Sequence, residues 1–88
     1  MDITVLEHEK EKLKVETTAS LTLVNALNEN MWKQKATDVA AYNVGHPYLS
    51  KPVLLIKSKN PKKTLIDAAD AIAEDVGEFR KKLAAALK

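Results

Sequence analysis

Between Asn60-Pro61 and Leu87 the chain offers a helix nothing to stop at except one glycine, and that run limits what the rest can be. Asparagine is a good N-cap, and proline at the first helical position gives up an amide that has no partner there anyway. Leu65, Ala69, Ile72, Val76, Phe79, Leu83 and Ala86 step by 4, 3, 4, 3, 4, 3, which is a heptad seam. Charges follow the helix dipole, with Asp67, Asp70, Glu74 and Asp75 early and Arg80, Lys81, Lys82 and Lys88 late. A helix of about 26 residues is roughly 39 Å long. A compact domain of 88 residues has a radius of gyration of only about 12 Å, or roughly 30 Å across. The helix therefore outreaches its own domain while its seam continues to Phe79, Leu83 and Leu87. An apolar stripe without cover marks a protein–protein surface; the competing reading is a helix wrapped along its own sheet. Gly77 favours a partner. A mid-helix glycine costs up to about 1 kcal/mol relative to alanine. Ala69, Ala73 and Gly77, four apart, form a ridge of small residues that lets another helix come close.

The sequence ahead of this helix changes period several times. "DITVLEH" (2–8) alternates, with Ile3 and Val5 on one face and Thr4 and Leu6 on the other. "KLKVET" (12–17) alternates more cleanly, and the charged "EKE" between the two makes a β-hairpin. From Leu21 to about Lys35, Leu23, Val24, Leu27 and Met31 recur at helical steps, with Ser20 or Thr22 as N-cap. "TDVAAYNV" (37–44) returns to strand character, and "VLLIKSK" (53–59), with four consecutive apolar residues, reads as a strand covered on both faces or nearly so. The order β-β-α-β-β-α predicts an α+β two-layer fold in one domain, residues 1–88. Its four-stranded antiparallel sheet carries a short helix and the long C-terminal helix on one face.

Composition narrows the function classes. A chain this short has a thin private core, and oligomerisation often supplies the missing burial. No apolar run approaches the roughly 18 residues of a membrane span. "MDITVLEHEK" reads as neither a signal nor a transit peptide. With no cysteine there are no disulfides, thiolate zinc sites or cysteine nucleophiles. His8 and His46 stand in different segments without further ligands at metal spacing, so no metal site is expected. Two glycines in all leave no phosphate-binding loop, and no cofactor is expected. The net charge is +2 and Arg80 is the only arginine, which speaks against direct readout of nucleic-acid sequence. Trp32 and Phe79 fall on helices and Tyr42 and Tyr48 flank a corner, so the aromatics build no stacking platform. No catalytic residue is expected.

The corner itself, "GHPYLSKP" (45–52), holds a histidine and a lysine beside two prolines. The residue before each proline, His46 and Lys51, is biased to extended geometry, which stiffens a strand-to-strand connection. His46, Pro47, Lys51 and Pro52 are read as shaping and contact residues and not as chemistry.

"TLVN" (22–25), "AAYNVGHPYLSKPVLLIK" (40–57) and the long helix ending "EFRKKLAAAL" (78–87) resemble the subunit L family of archaeal DNA-directed RNA polymerase. That family is the counterpart of the eukaryotic eleventh-subunit type and of the bacterial α N-terminal domain. The resemblance spans most of the chain and implies a non-catalytic, cytoplasmic assembly role in transcription. Pairing through the helices with the polymerase's D-type subunit, as a heterodimer, would form a platform for the large catalytic subunits. Carried over, the interface falls on Leu65, Ala69, Ile72, Val76, Phe79 and Leu83, with Val24, Leu27 and Met31 of the first helix; Ala73 and Gly77 join it through the small-residue ridge. His46 and Lys51 become contacts to a large subunit. A bare seam of this kind also allows the isolated chain to self-associate. The chain departs from the family at Ser20-Leu21, where an Asp-His pair is usual, and in "ALNENMWK" (26–33). The alternatives, from other classes, are a pterin dehydratase-like enzyme, which shares the strand–helix order, and a small RNA-binding module.

Overall fold

The computed structural model describes residues 1–43 and 51–87. Strand β1 (Ile3–His8) and β2 (Lys12–Thr17) form the expected hairpin; α1 (Leu21–Trp32), β3 (Thr37–Asn43), β4 (Val53–Ser58) and α2 (Pro61–Ala86) follow. The sheet order is β1-β2-β4-β3, with every neighbouring pair antiparallel. Because β2 and β3 both run antiparallel to β4, they are parallel to each other, and α1 is the crossover between them.

Both helices start where their caps dictate. The Ser20 hydroxyl accepts from the Leu23 amide at 3.2 Å, and the Asn60 side chain accepts from the Lys63 amide at 3.2 Å with Pro61 just inside. Helix α2 runs for the expected 26 residues, through Gly77 without a break. Its first turns carry the anchorage. Pro61, Thr64 and Ala68 are buried, and the Thr64 hydroxyl meets the Ser58 hydroxyl at 2.9 Å inside the protein. The Gln34 amide, just beyond α1, donates to the Thr64 carbonyl at 2.9 Å, which ties the two helices together. The core between helices and sheet is Leu13, Val15, Val24, Met31, Ala40, Leu54, Ile56 and Ala68, with Ala19 at its margin.

Two irregularities set the faces of the sheet. At β1 the pairing passes from Val5↔Val15 to Glu7↔Lys14, leaving Leu6 as an extra residue. Without that bulge the period of two would turn Glu7 toward the helices; with it, Glu7 lies on the far face and meets Lys12 at 3.1 Å. A similar shift between Thr37 and Val39 keeps Thr37 opposite buried Ser58. On β4, Leu54 and Ile56 are buried while Val53 and Leu55 are only half-buried. The strand is therefore covered on one face, not on both as its four apolar residues suggested. Leu55 pairs across the ladder with Lys14 and Ala41, and a lysine stem covers apolar surface while its ammonium stays in water.

Truncating Ile56, which is 0% exposed at the centre of the sheet, to alanine lowers folding stability by about 2–5 kcal/mol. Asn60→Ala costs about 1 kcal/mol through the lost cap. Urea unfolding followed by circular dichroism reads both as shifts of the midpoint.

Candidate partner interface

The two helices do not cover the sheet evenly. Helix α1 lies against β3, and α2 lies against β4 and part of β2, so β1 has no helix above it. The strand is nonetheless held in register at its start. The Asp2 amide donates to the Thr18 hydroxyl at 2.7 Å, and the Asp2 carbonyl receives the Thr18 amide at 3.1 Å. Ile3 and Val5, on the helix-facing side, remain 65% and 57% exposed. They floor an apolar groove of about 690 Å³ whose walls are Leu23 and Leu27 of α1 and Leu65, Ile66, Ala69 and Ile72 of α2. His8, brought to this face by the bulge, sits at one end with Lys62.

The groove does not end with the sheet. Along α2, Ile72 is half-buried, while Val76, Phe79, Leu83 and Leu87 are 62%, 66%, 45% and 76% exposed. At 100° per residue these four lie on the same side of the helix as Leu65, Ala69 and Ile72. Groove and seam are one continuous apolar surface, part concave and part projecting. Ala73 and Gly77 are exposed beside it, and a Cβ built on Gly77 meets nothing within 4 Å. Among the described residues nothing requires a glycine there.

The molecule's dimensions agree. Its radius of gyration is 14.6 Å and its extents are 48 × 34 × 17 Å, against about 12 Å for a compact chain of this length. The exposed surface is 6528 Å², where a folded monomer of 9.7 kDa exposes about 5,100 Å². The excess is larger than the roughly 800 Å² that each partner buries in a standard interface.

The residues expected at the interface divide in two. Leu65, Ala69, Ile72, Ala73, Val76, Gly77, Phe79 and Leu83 stand along the exposed surface or line the groove, and Leu27 lies on the groove wall. Val24 and Met31 do not. Both are 0% exposed in the core of this chain, so neither offers a surface to a partner, and Leu23 takes their place beside Leu27. Ile3, Val5 and Ile66 are additions. The alternation of β1 put Ile3 and Val5 on one face, but only the strand order shows that no helix lies over them. Of the corner residues, His46 and Pro47 lie outside the described residues. Lys51 is exposed, 4.0 Å from Glu16, and the Pro52 carbonyl accepts the Thr17 amide at 3.0 Å. Among the described residues no three metal-ligating side chains gather, and no helix is long and apolar enough to cross a membrane.

Comparison with known proteins matches this architecture. Residues 12–82 fit the family model of the RNA polymerase Rpb3/Rpb11 dimerisation domain. A DNA-directed RNA polymerase subunit Rpo11 from Methanothermobacter thermautotrophicus is 35% identical over 60 residues, covering 68% of this chain and 71% of that relative. Rpo11 from Methanocella arvoryzae is 33% identical over 85 residues, 92% of this chain and 91% of that one. The crystal structure of DNA-directed RNA polymerase subunit L from Thermoplasma acidophilum superposes with a TM-score of 0.77 at 27% identity, covering 92% of this chain and 87% of that chain. The chain belongs to the Rpb3/Rpb11 dimerisation-domain family of RNA polymerase subunits, alongside the archaeal subunit L and Rpo11 chains.

Proposed function

We propose that residues 1–88 act as one dimerisation unit that pairs with the polymerase's D-type subunit, and that the pair is the platform on which the large catalytic subunits assemble. The carrying observation is the unbroken apolar surface from the β1 groove to the tip of α2. It is too large and too continuous for a chain that works alone. In this reading the chain contributes no catalytic group. Nucleotidyl transfer belongs to the assembled polymerase in the cytoplasm, and the share of this chain is to fix where two larger bodies meet. Membership of a dimerisation-domain family supports the reading over the pterin dehydratase-like and RNA-binding alternatives.

Phe79→Asp tests it by co-expression with the D-type subunit. The side chain is 66% exposed in the free chain, so the variant folds normally by circular dichroism. In the complex it buries an unpaired carboxylate, at several kcal/mol, and co-purification of the two subunits is lost. Retention of the D-type subunit by the variant would reject this interface.

Gly77→Ala separates the two roles of the glycine. With open space at the Cβ position, alanine raises the stability of the isolated chain by up to about 1 kcal/mol. If the ridge Ala69-Ala73-Gly77 receives a partner helix, the same change weakens binding to the D-type subunit, measured by titration calorimetry. The corner with His46, Pro47, Lys51 and Pro52 we assign to contact with a large subunit. The double change His46→Ala, Lys51→Ala then lowers recruitment of the large subunits in reconstitution while leaving the heterodimer intact.

A further inference from the structure

We propose that the end of the sheet at which α2 begins is a second contact surface, one that takes the phosphate backbone of duplex DNA without reading its sequence. The chain direction gathers three turns at that end: 9–11 between β1 and β2, 33–36 between α1 and β3, and 59–60 between β4 and α2. Lys10 stands in the first turn, Lys33 and Lys35 in the second and Lys59 in the third. Lys57 comes just before the third turn, on the face of β4 away from the helices, and Lys62 just after it at the start of α2. All six are exposed.

The fold leaves this charge uncompensated. Glu7 is taken by Lys12 at 3.1 Å, and Asp67 by Lys63 at 2.9 Å. Glu9, Glu11 and Asp38 are the other carboxylates of this end, and among the described residues none of them lies within 4 Å of a lysine ammonium. Lys57 stands directly opposite Lys12 in the β2–β4 ladder. Like charges so placed cost a sheet stability, and an anion bound between them removes the cost. At the opposite end of the sheet, by contrast, Lys51 stands 4.0 Å from Glu16.

The chemistry of the three turns selects the occupant. Lysine is a compact point charge without the planar fork of arginine, so it neutralises a phosphate without specifying a base. An acidic polypeptide would need apolar anchors as well as charge, and the turns read Glu-Lys-Glu, Lys-Gln-Lys-Ala and Lys-Asn. Unstacked bases would need an aromatic platform. Trp32, beside the second turn, has its indole N–H committed to the Ala40 carbonyl at 2.8 Å, within the length of β3. A duplex asks only for spaced cations. Four strands about 4.8 Å apart span roughly 14 Å, over which duplex DNA carries about 8 phosphates. That the polyanion is DNA rests on the polymerase reading above. The surface is separate from the one given to the D-type subunit, since only Lys62 of the six lines the groove.

Fluorescence anisotropy of a labelled duplex, titrated with the full chain over a range of salt, tests this. Wild type binds two duplexes of unrelated sequence equally, with an affinity that falls steeply as salt rises. Lys57→Gln with Lys59→Gln weakens binding at low salt roughly tenfold and lowers the log–log salt slope by about 2. Lys81→Gln with Lys82→Gln removes the same charge from the tip of α2 and leaves both quantities at the wild-type value. Equal losses in the two double variants overturn the placement, because net charge alone then accounts for binding. Tighter binding of single-stranded DNA, or displacement of the duplex by poly-glutamate at a lower charge concentration than by unlabelled duplex, overturns the choice of occupant. A chain that ignores duplex DNA but captures the D-type subunit removes this inference and leaves the proposed function standing. One that binds the duplex as described but does not capture the D-type subunit does the reverse.

Discussion

Everything beyond the sheet depends on how the first two turns of α2 are fixed. Pro61, Thr64 and Ala68 are buried, and the hydroxyls of Ser58 and Thr64 meet at 2.9 Å in the interior. A buried hydroxyl pair is stable only while both members are satisfied. The direction in which α2 leaves the sheet is thus determined at β4, before the helix has emerged. From Ala73 onward every described residue of α2 is exposed, so none of them is packed into the core of the described chain in a way that would correct that direction.

The same asymmetry explains the sheet. A four-stranded sheet with two helices on one face has enough helix to cover itself, but here α2 spends its C-terminal half outside. The uncovered strand is β1, and the fold manages it locally. Its start is tied to Thr17 and Thr18, and its bulge moves Glu7 to the wet face. The opposite edge is treated differently: the Trp32 indole donates to the Ala40 carbonyl at 2.8 Å and occupies part of the rim of β3. Edge strands invite unwanted pairing, and here one edge is partly blocked while the other borders the groove.

Much of this was legible in the residues. Asn60-Pro61 marks the start of α2, the seam gives its length and apolar side, and the alternation of β1 and β2 gives the hairpin. Helix α1 was harder for a definite reason. Leu23 and Leu27 form one stripe and Val24 and Met31 a neighbouring one, about 70° away. Periodicity merges the two, and only the packing shows that the second faces this chain's core while the first faces the groove. Val53-Leu54-Leu55-Ile56 misled in a similar way. A run of apolar residues records low polarity on both faces, but it does not say whether a second layer or lysine stems provide the cover.

Helix α2 is in effect a lever with its fulcrum at Ala68. From there to Ala86 it extends 18 residues, roughly 27 Å. A tilt of about 5° at the fulcrum moves the tip by about 2 Å, the scale on which packed side chains lose their fit. The Ser58–Thr64 contact and the burial of Ala68 therefore act at a distance. A small change in the sheet is read out, magnified, as misplacement of whatever the far end holds. Positions that never touch a partner can still decide whether it is correctly aligned.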